Sequence, residues 1–196
     1  MKIFGLVALL AMLLPTPAPE GSNMSIMTNN GMGHACPVNK DGLEVIFTAA
    51  HTLKAEQWGM FWSDQYGNVG ILSKMPIPMV RDLLRLKMVN GPAPVFFELG
   101  TSPEIGDKVR WTEYDWSKRS KAMWPKVKEG KVAMIVAGHI VVDRQPTPGA
   151  SGACLLNEEG LVVGVMVWGM PLENEEYIAG AIDLTIEFPE ERKEVE

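Results

Sequence analysis

Cysteine is scarce in this chain of 196 residues. There are two, with no Cys-x-x-Cys pair, so cysteine alone cannot build a four-ligand zinc site. No apolar run is long enough to cross a bilayer as a helix, which takes about twenty residues. Basic residues are in deficit, 18 Lys+Arg against 24 Asp+Glu. The formal net charge of -6 argues against a general nucleic-acid binder, which needs a basic footprint. Sustained apolar patterns of helical period are scarce after residue 22, which speaks against a helical bundle. No internal repeat is strong enough to suggest a solenoid. Disorder is excluded from the other side, since 46% of residues are hydrophobic and only 21% are charged.

What the chain has in quantity is glycine and proline, 19 and 14 residues. They punctuate short apolar or alternating runs at 43–49, 69–75, 95–99, 132–137, 161–167 and 177–184, often behind Asp-Gly, Gly-Asn or Glu-Gly turns. Runs at this spacing without intervening helices predict an all-β chain of barrels or sandwiches. The 80–88 run suits a short helix or a strand equally well. The length allows one large or two small domains. The tail from Glu187 to Glu196 is dense in charge and reads as solvated.

The first residues read as an address. Lys2 precedes the apolar run from Ile3 to Leu14, and Pro15, Pro17 and Pro19 then break any helix. This is the pattern of a secretory signal peptide over residues 1–22, with an uncleaved membrane-associated leader as the alternative. The expected location is secreted or periplasmic, with no stable membrane span in the mature chain.

Two short motifs carry chemistry. Thr48-Ala49-Ala50-His51 ends one apolar run, and Gly149-Ala150-Ser151-Gly152 precedes another. A serine hydroxyl is almost wholly protonated at neutral pH and needs an imidazole to take its proton during attack. A carboxylate then fixes the imidazole tautomer and steadies its charge. Glycine beside the serine lets the backbone turn so that two N–H groups face a developing oxyanion, here the amides of Gly149 and Ser151. For the acid, Asp41, Asp64, Asp82, Asp107, Asp115, Asp143 and Asp183 stand open on these grounds alone.

In these segments the chain resembles the chymotrypsin-like (trypsin-fold) serine peptidases, in the compact form of bacterial Deg-type and viral members. Gly31-Met32-Gly33-His34-Ala35 is similar to the strand before the family's histidine, and Thr48 to His51 matches the histidine box. Arg81-Asp82-Leu83-Leu84-Arg85-Leu86 is similar to its aspartate segment, and residues 147–152 to its serine loop. Gly164-Val165-Met166-Val167-Trp168-Gly169 resembles the strand that lines the substrate backbone. The resemblance spans roughly residues 23–186 and is loose over 101–130. It implies two packed six-stranded antiparallel β-barrels, the first over 23–100 and the second over 101–187, with a charged tail at 188–196. It leaves no room behind the second barrel for an appended peptide-binding domain.

By the same resemblance His51 is the general base, Asp82 the orienting acid with Asp64 in reserve, and Ser151 the nucleophile. The implied activity is a serine endopeptidase that cleaves protein or peptide substrates through an acyl-enzyme, with no cofactor, no metal and no nucleic-acid partner. A catalytically silent binding protein on the same fold and an esterase using the same serine are the alternatives. Gln145, Val167, Trp168, Gly169, Ala179 and Gly180 fall around the primary pocket. No carboxylate stands at its floor and no His lies on the 164–169 strand, so apolar or modestly polar side chains are expected before the cleaved bond.

Three departures from the family matter. Ala150 stands where zymogen-activated members carry an Asp that binds a newly cut N-terminus, so activation by that salt bridge is not expected. Ala153-Cys154 replaces the usual Gly-Pro. Val167 replaces a serine that helps to hold the aspartate. Cys36 and Cys154 lie near the two motif strands, either as a disulfide closing a long loop or as two buried thiols. His34 and His139 sit in apolar runs and read as structural. The stretch from Trp111 to Lys128 mixes Trp111, Trp116 and Trp124 with five basic residues, and reads as a solvated surface loop of the second barrel.

Overall fold

The structure is a computed structural model that describes residues 24–28, 31–53, 59–63, 68–75, 81–114, 125–147, 149–171 and 177–188. The leader motif, Asp64, Asp115, Trp116 and Trp124 lie outside the described residues.

Thirteen strands carry the described fold. In the first half they are β1 (Met24–Thr28), β2 (Gly31–Lys40), β3 (Leu43–Ala49), β4 (Gly59–Ser63), β5 (Val69–Lys74), β6 (Leu83–Asn90) and β7 (Phe97–Glu98). Strands β1-β4-β5-β6-β3-β2 form an antiparallel barrel closed by β1 against β2, and the two-residue β7 adds parallel to β2. In the second half they are β8 (Lys108–Tyr114), β9 (Pro125–Val136), β10 (His139–Val142), β11 (Cys154–Leu156), β12 (Val162–Pro171) and β13 (Tyr177–Asp183). They close a second antiparallel barrel in the order β10-β13-β12-β11-β8-β9. One turn of helix, α1 (Leu184–Glu187), follows β13. From Leu83 to Met88 the 80–88 run is thus part of the strand β6, behind a turn at Arg81 and Asp82, and only Phe97–Glu98 of the 95–99 run is strand.

The apolar runs are continuous rather than alternating because these strands are covered on both faces. In β3, Ile46 points into the first barrel beside Met24, Ile26, Trp62 and Leu72. Val45, Phe47 and Ala49 point the other way, into a core shared with Leu156, Val162, Val165 and Ile182 of the second barrel. Strand β12 does the same from its side, with Val163 and Met166 in the second barrel's interior and Val162, Val165 and Val167 in the shared core. Phe47 is wholly buried, and burial of a side chain of this size contributes about 1.5–3 kcal/mol.

The two barrels are joined covalently as well as by packing. Cys36 on β2 and Cys154 on β11 form a disulfide with Cα atoms 5.0 Å apart. Phe188 closes the shared core edge-on against Phe47, with ring centroids 5.8 Å apart, so the first residue of the expected tail is buried.

The two ends of the stretch from 111 to 128 differ from the expected surface loop, while residues 115–124 lie outside the described residues. The ends belong to the paired strands β8 and β9, and Trp111 is buried in the core of the second barrel. The physical reason is period-two alternation, in which Val109, Trp111 and Glu113 face inward. No helix among the described residues is long and apolar enough to cross a membrane.

Candidate active site

The histidine box ends β3 and turns into a single 3-10 turn, Ala50–Thr52. Thr48 is buried and donates its hydroxyl to the carbonyl of His34, 2.7 Å away on β2. Thr52 Oγ1 donates to the carbonyl of Ala49 at 2.6 Å and closes the turn. These bonds send the His51 side chain out of the barrel wall, where it is 49% exposed.

Asp82 enters from the turn before β6. Arg81 and Asp82 both take left-handed backbone, with φ of 59° and 81°. Asp82 is fixed from its main chain outward. The Ala50 N–H donates to its carbonyl at 2.8 Å, and the His51 N–H donates to its Oδ1 at 2.9 Å. Its Oδ2 then lies 2.6 Å from His51 Nδ1. Of the candidate acids among the described residues, Asp82 is the one that reaches His51. Asp107 and Asp143 accept backbone N–H groups of Glu104 and Lys131, and Asp183 caps α1 through Thr185.

Ser151 comes from the second barrel. Its Oγ is 2.9 Å from His51 Nε2, so the imidazole bridges a carboxylate and a hydroxyl supplied by different barrels. The serine loop is docked onto the first barrel, since the His34 N–H donates to the Ser151 carbonyl at 2.9 Å. Gly152 is required by this approach: a Cβ there would overlap the His34 carbonyl oxygen and press on Thr48 Oγ1. Behind the serine, the Ala150 N–H donates to Thr147 O at 3.2 Å and the Gly152 N–H to Met166 O at 2.7 Å. Among the described residues, the amides of Gly149 and Ser151 donate to no acceptor.

The expected pocket residues fall in two groups. Gln145 is exposed on the approach to the serine loop. Trp168 and Gly169 belong to β12, where their backbones pair with Gly180 and Ala179 of β13. The register shifts between Met166 and Trp168, which makes Val167 the bulged residue. Its side chain is buried in the core between the barrels. Strand β11 pairs with β12 only as far as Val165. Among the described residues, the opposite edge of β12 beyond Met166 carries no strand.

Glu113 escaped the motif reading, and Arg81 entered it only as part of the aspartate segment. Glu113 is buried beneath the serine loop, and its Oε2 accepts the Thr147 N–H at 3.0 Å. Its inward position follows from alternation with Val109 and Trp111, which was the available signal. Arg81, beside Asp82, has no comparable sequence signal. His34 is buried, and desolvation pulls its pKa down to about 3, so it stands neutral in the fold. His139 is half-buried on β10. Among the described residues no cluster of His, Cys, Asp or Glu could hold a metal ion.

No protein-family model and no curated protein sequence matches this chain. Solved structures do. The serine endoprotease from Yersinia pestis superposes with a TM-score of 0.67 at 19% identity, over 86% of this chain and 60% of that one. The MamO protease domain from Magnetospirillum magneticum gives 0.61 at 15% identity, over 85% and 94%. A human pathogenic astrovirus serine protease gives 0.61 at 18% identity, over 85% and 91%. The chain therefore has the trypsin-like two-barrel fold, shared with serine proteases. It spans 60% of the length of the Yersinia structure.

Proposed function

We propose that the chain is a serine endopeptidase acting through an acyl-enzyme. The observation that carries this reading is the His51 imidazole, held 2.6 Å from Asp82 and 2.9 Å from Ser151. In this mechanism Ser151 Oγ attacks the scissile carbonyl while His51 Nε2 takes its proton, and Asp82 holds the Nδ1–H and steadies the imidazolium. The amides of Gly149 and Ser151 receive the oxyanion. The C–N bond then breaks, His51 returns its proton to the leaving amine, and water releases the acyl group by the reverse sequence. An extended substrate adds its backbone to the open edge of β12 beyond Met166, next to the bulge at Val167.

The pocket expectation of apolar or modestly polar side chains before the cleaved bond carries over, since Gln145, Trp168 and Gly169 bring no carboxylate. A cleavage profile dominated by Lys, Arg or Glu overturns that part. Export is proposed too. It is supported by the apolar segment from Ile3 to Leu14 and by the disulfide, which persists in oxidising compartments.

The test is labelling by a fluorophosphonate probe. Wild type is expected to label and Ser151→Ala to lose the label with its thermal melting intact. A folded wild type that does not label points to the silent binding protein. A labelled protein that hydrolyses esters but leaves a denatured protein uncut points to the esterase.

A further inference from the structure

A carboxylate buried to 1% exposure at the mouth of the second barrel needs a reason, because burial of a charge is costly unless hydrogen bonds and a counter-ion offset it. Glu113 has both. Its Oε1 is 3.3 Å from Lys128 Nζ on the neighbouring strand β9, and its Oε2 takes the Thr147 N–H at 3.0 Å. Thr147 in turn offers its carbonyl to the Ala150 N–H. One carboxylate thus grips the residue that folds the loop back, and in that fold the amides of Gly149 and Ser151 donate to no acceptor among the described residues.

Residues 147–152 contain no charged side chain of their own. Ala150 is buried in the apolar core of the second barrel with Trp111, Val109 and Ala153. Apolar packing fixes the depth of the loop but not the direction of its N–H groups. A charge-assisted hydrogen bond does fix direction.

We infer that Glu113, braced by Lys128, is a positioning residue that holds the serine loop in the shape its oxyanion-binding amides require. The inference rests on the peptidase reading and deepens it. The loop is set by an acid of the barrel itself, so the site is ready without a newly cut N-terminus. Glu113 touches no substrate, and its effect reaches the reaction through Thr147 and Gly149.

Three variants of the full chain test this: Glu113→Ala, Glu113→Gln, which keeps an acceptor oxygen, and Lys128→Met. Glu113→Ala is expected to lower kcat and the fluorophosphonate labelling rate about 100-fold, with KM changed less than about threefold. Glu113→Gln is expected to restore at least about tenfold of that loss, and Lys128→Met to fall between Glu113→Ala and wild type. Amide hydrogen exchange supplies a readout independent of activity. In Glu113→Ala the segment 147–152 is expected to lose protection while 162–171 keeps it. Labelling and loop protection both at wild-type values in Glu113→Ala overturn the inference, as does equal loss of protection across the whole second barrel. A wild type that never labels removes the peptidase reading instead, and the exchange experiment still decides whether Glu113 holds the loop.

Discussion

The guanidinium of Arg81 occupies the space that a Cβ on Gly138 would need. Arg81 precedes Asp82 in the first barrel, and Gly138 turns β9 into β10 in the second with φ of 74°. The backbone turn that aims Asp82 at His51 is therefore packed against the opposite barrel. Gly138→Ala displaces the Arg81 side chain and strains a left-handed residue. The expected result is a loss in kcat on the order of tenfold, since small misplacements of a reacting group are amplified in rate. Arg81→Ala should show a loss of the same kind. Steady-state kinetics on a peptide substrate, with melting curves alongside, check it.

Asp82→Asn keeps the shape of the site but presents the wrong hydrogen-bonding group to His51 Nδ1. The expected fall in kcat is roughly 1,000- to 10,000-fold, with only a small change in KM. A fall of less than tenfold would mean that the contact at 2.6 Å does not orient the imidazole during turnover.

The disulfide closes a loop over a sequence separation of 118. Cross-linking over that length restricts the unfolded chain, and the chain-entropy model assigns it up to about 4–5 kcal/mol. Paired replacement of Cys36 and Cys154 by Ala is expected to lower the unfolding free energy by an amount in that range. Denaturant titration of the variant against the oxidised protein measures it.

His34 makes the fold sensitive to acid. Its unfolded form takes a proton near pH 6.5, whereas the buried ring does so only near 3. Above pH 6.5 both states are neutral and its stability contribution is fully present. As pH falls towards 3 the unfolded state gains protons that the fold refuses, and stability drops by up to about 1.4 kcal/mol per pH unit. Unfolding free energies between pH 6 and 4 should therefore fall more steeply in wild type than in His34→Phe. Because the His34 backbone holds both Thr48 and Ser151, acid should loosen the contact between the barrels at this point.

The meeting of His51 and Ser151 was legible from the histidine box that the resemblance matches at Thr48 to His51 and from the glycines of the serine loop, of which Gly152 packs against His34. The strands β3, β5 and β13 were legible from apolar runs bounded by turn residues. Asp82 was not separable from the other aspartates without the family resemblance, because Arg81 and Asp82 reach the site through left-handed backbone that no residue type announces. The bulge at Val167 was not legible, because a bulge leaves no trace in an apolar run. The ends of the Trp111 region misled for a different reason: a single buried tryptophan on β8 and the lysines of β9 read in sequence as one mixed aromatic and basic stretch, although they lie on two paired strands.

Phe188 gives the architecture a direction in time. Strands β1 to β6 bring together residues 24–90, so the first barrel can form while the chain is still being made. The core between the barrels draws on residues from Cys36 to Phe188 and is completed only by that last ring, set edge-on against Phe47. Domains fold in the order in which they emerge from the ribosome. A nascent chain stopped short of residue 188 therefore carries His51, Asp82 and Ser151 without the ring that packs against Phe47 in the core between their barrels.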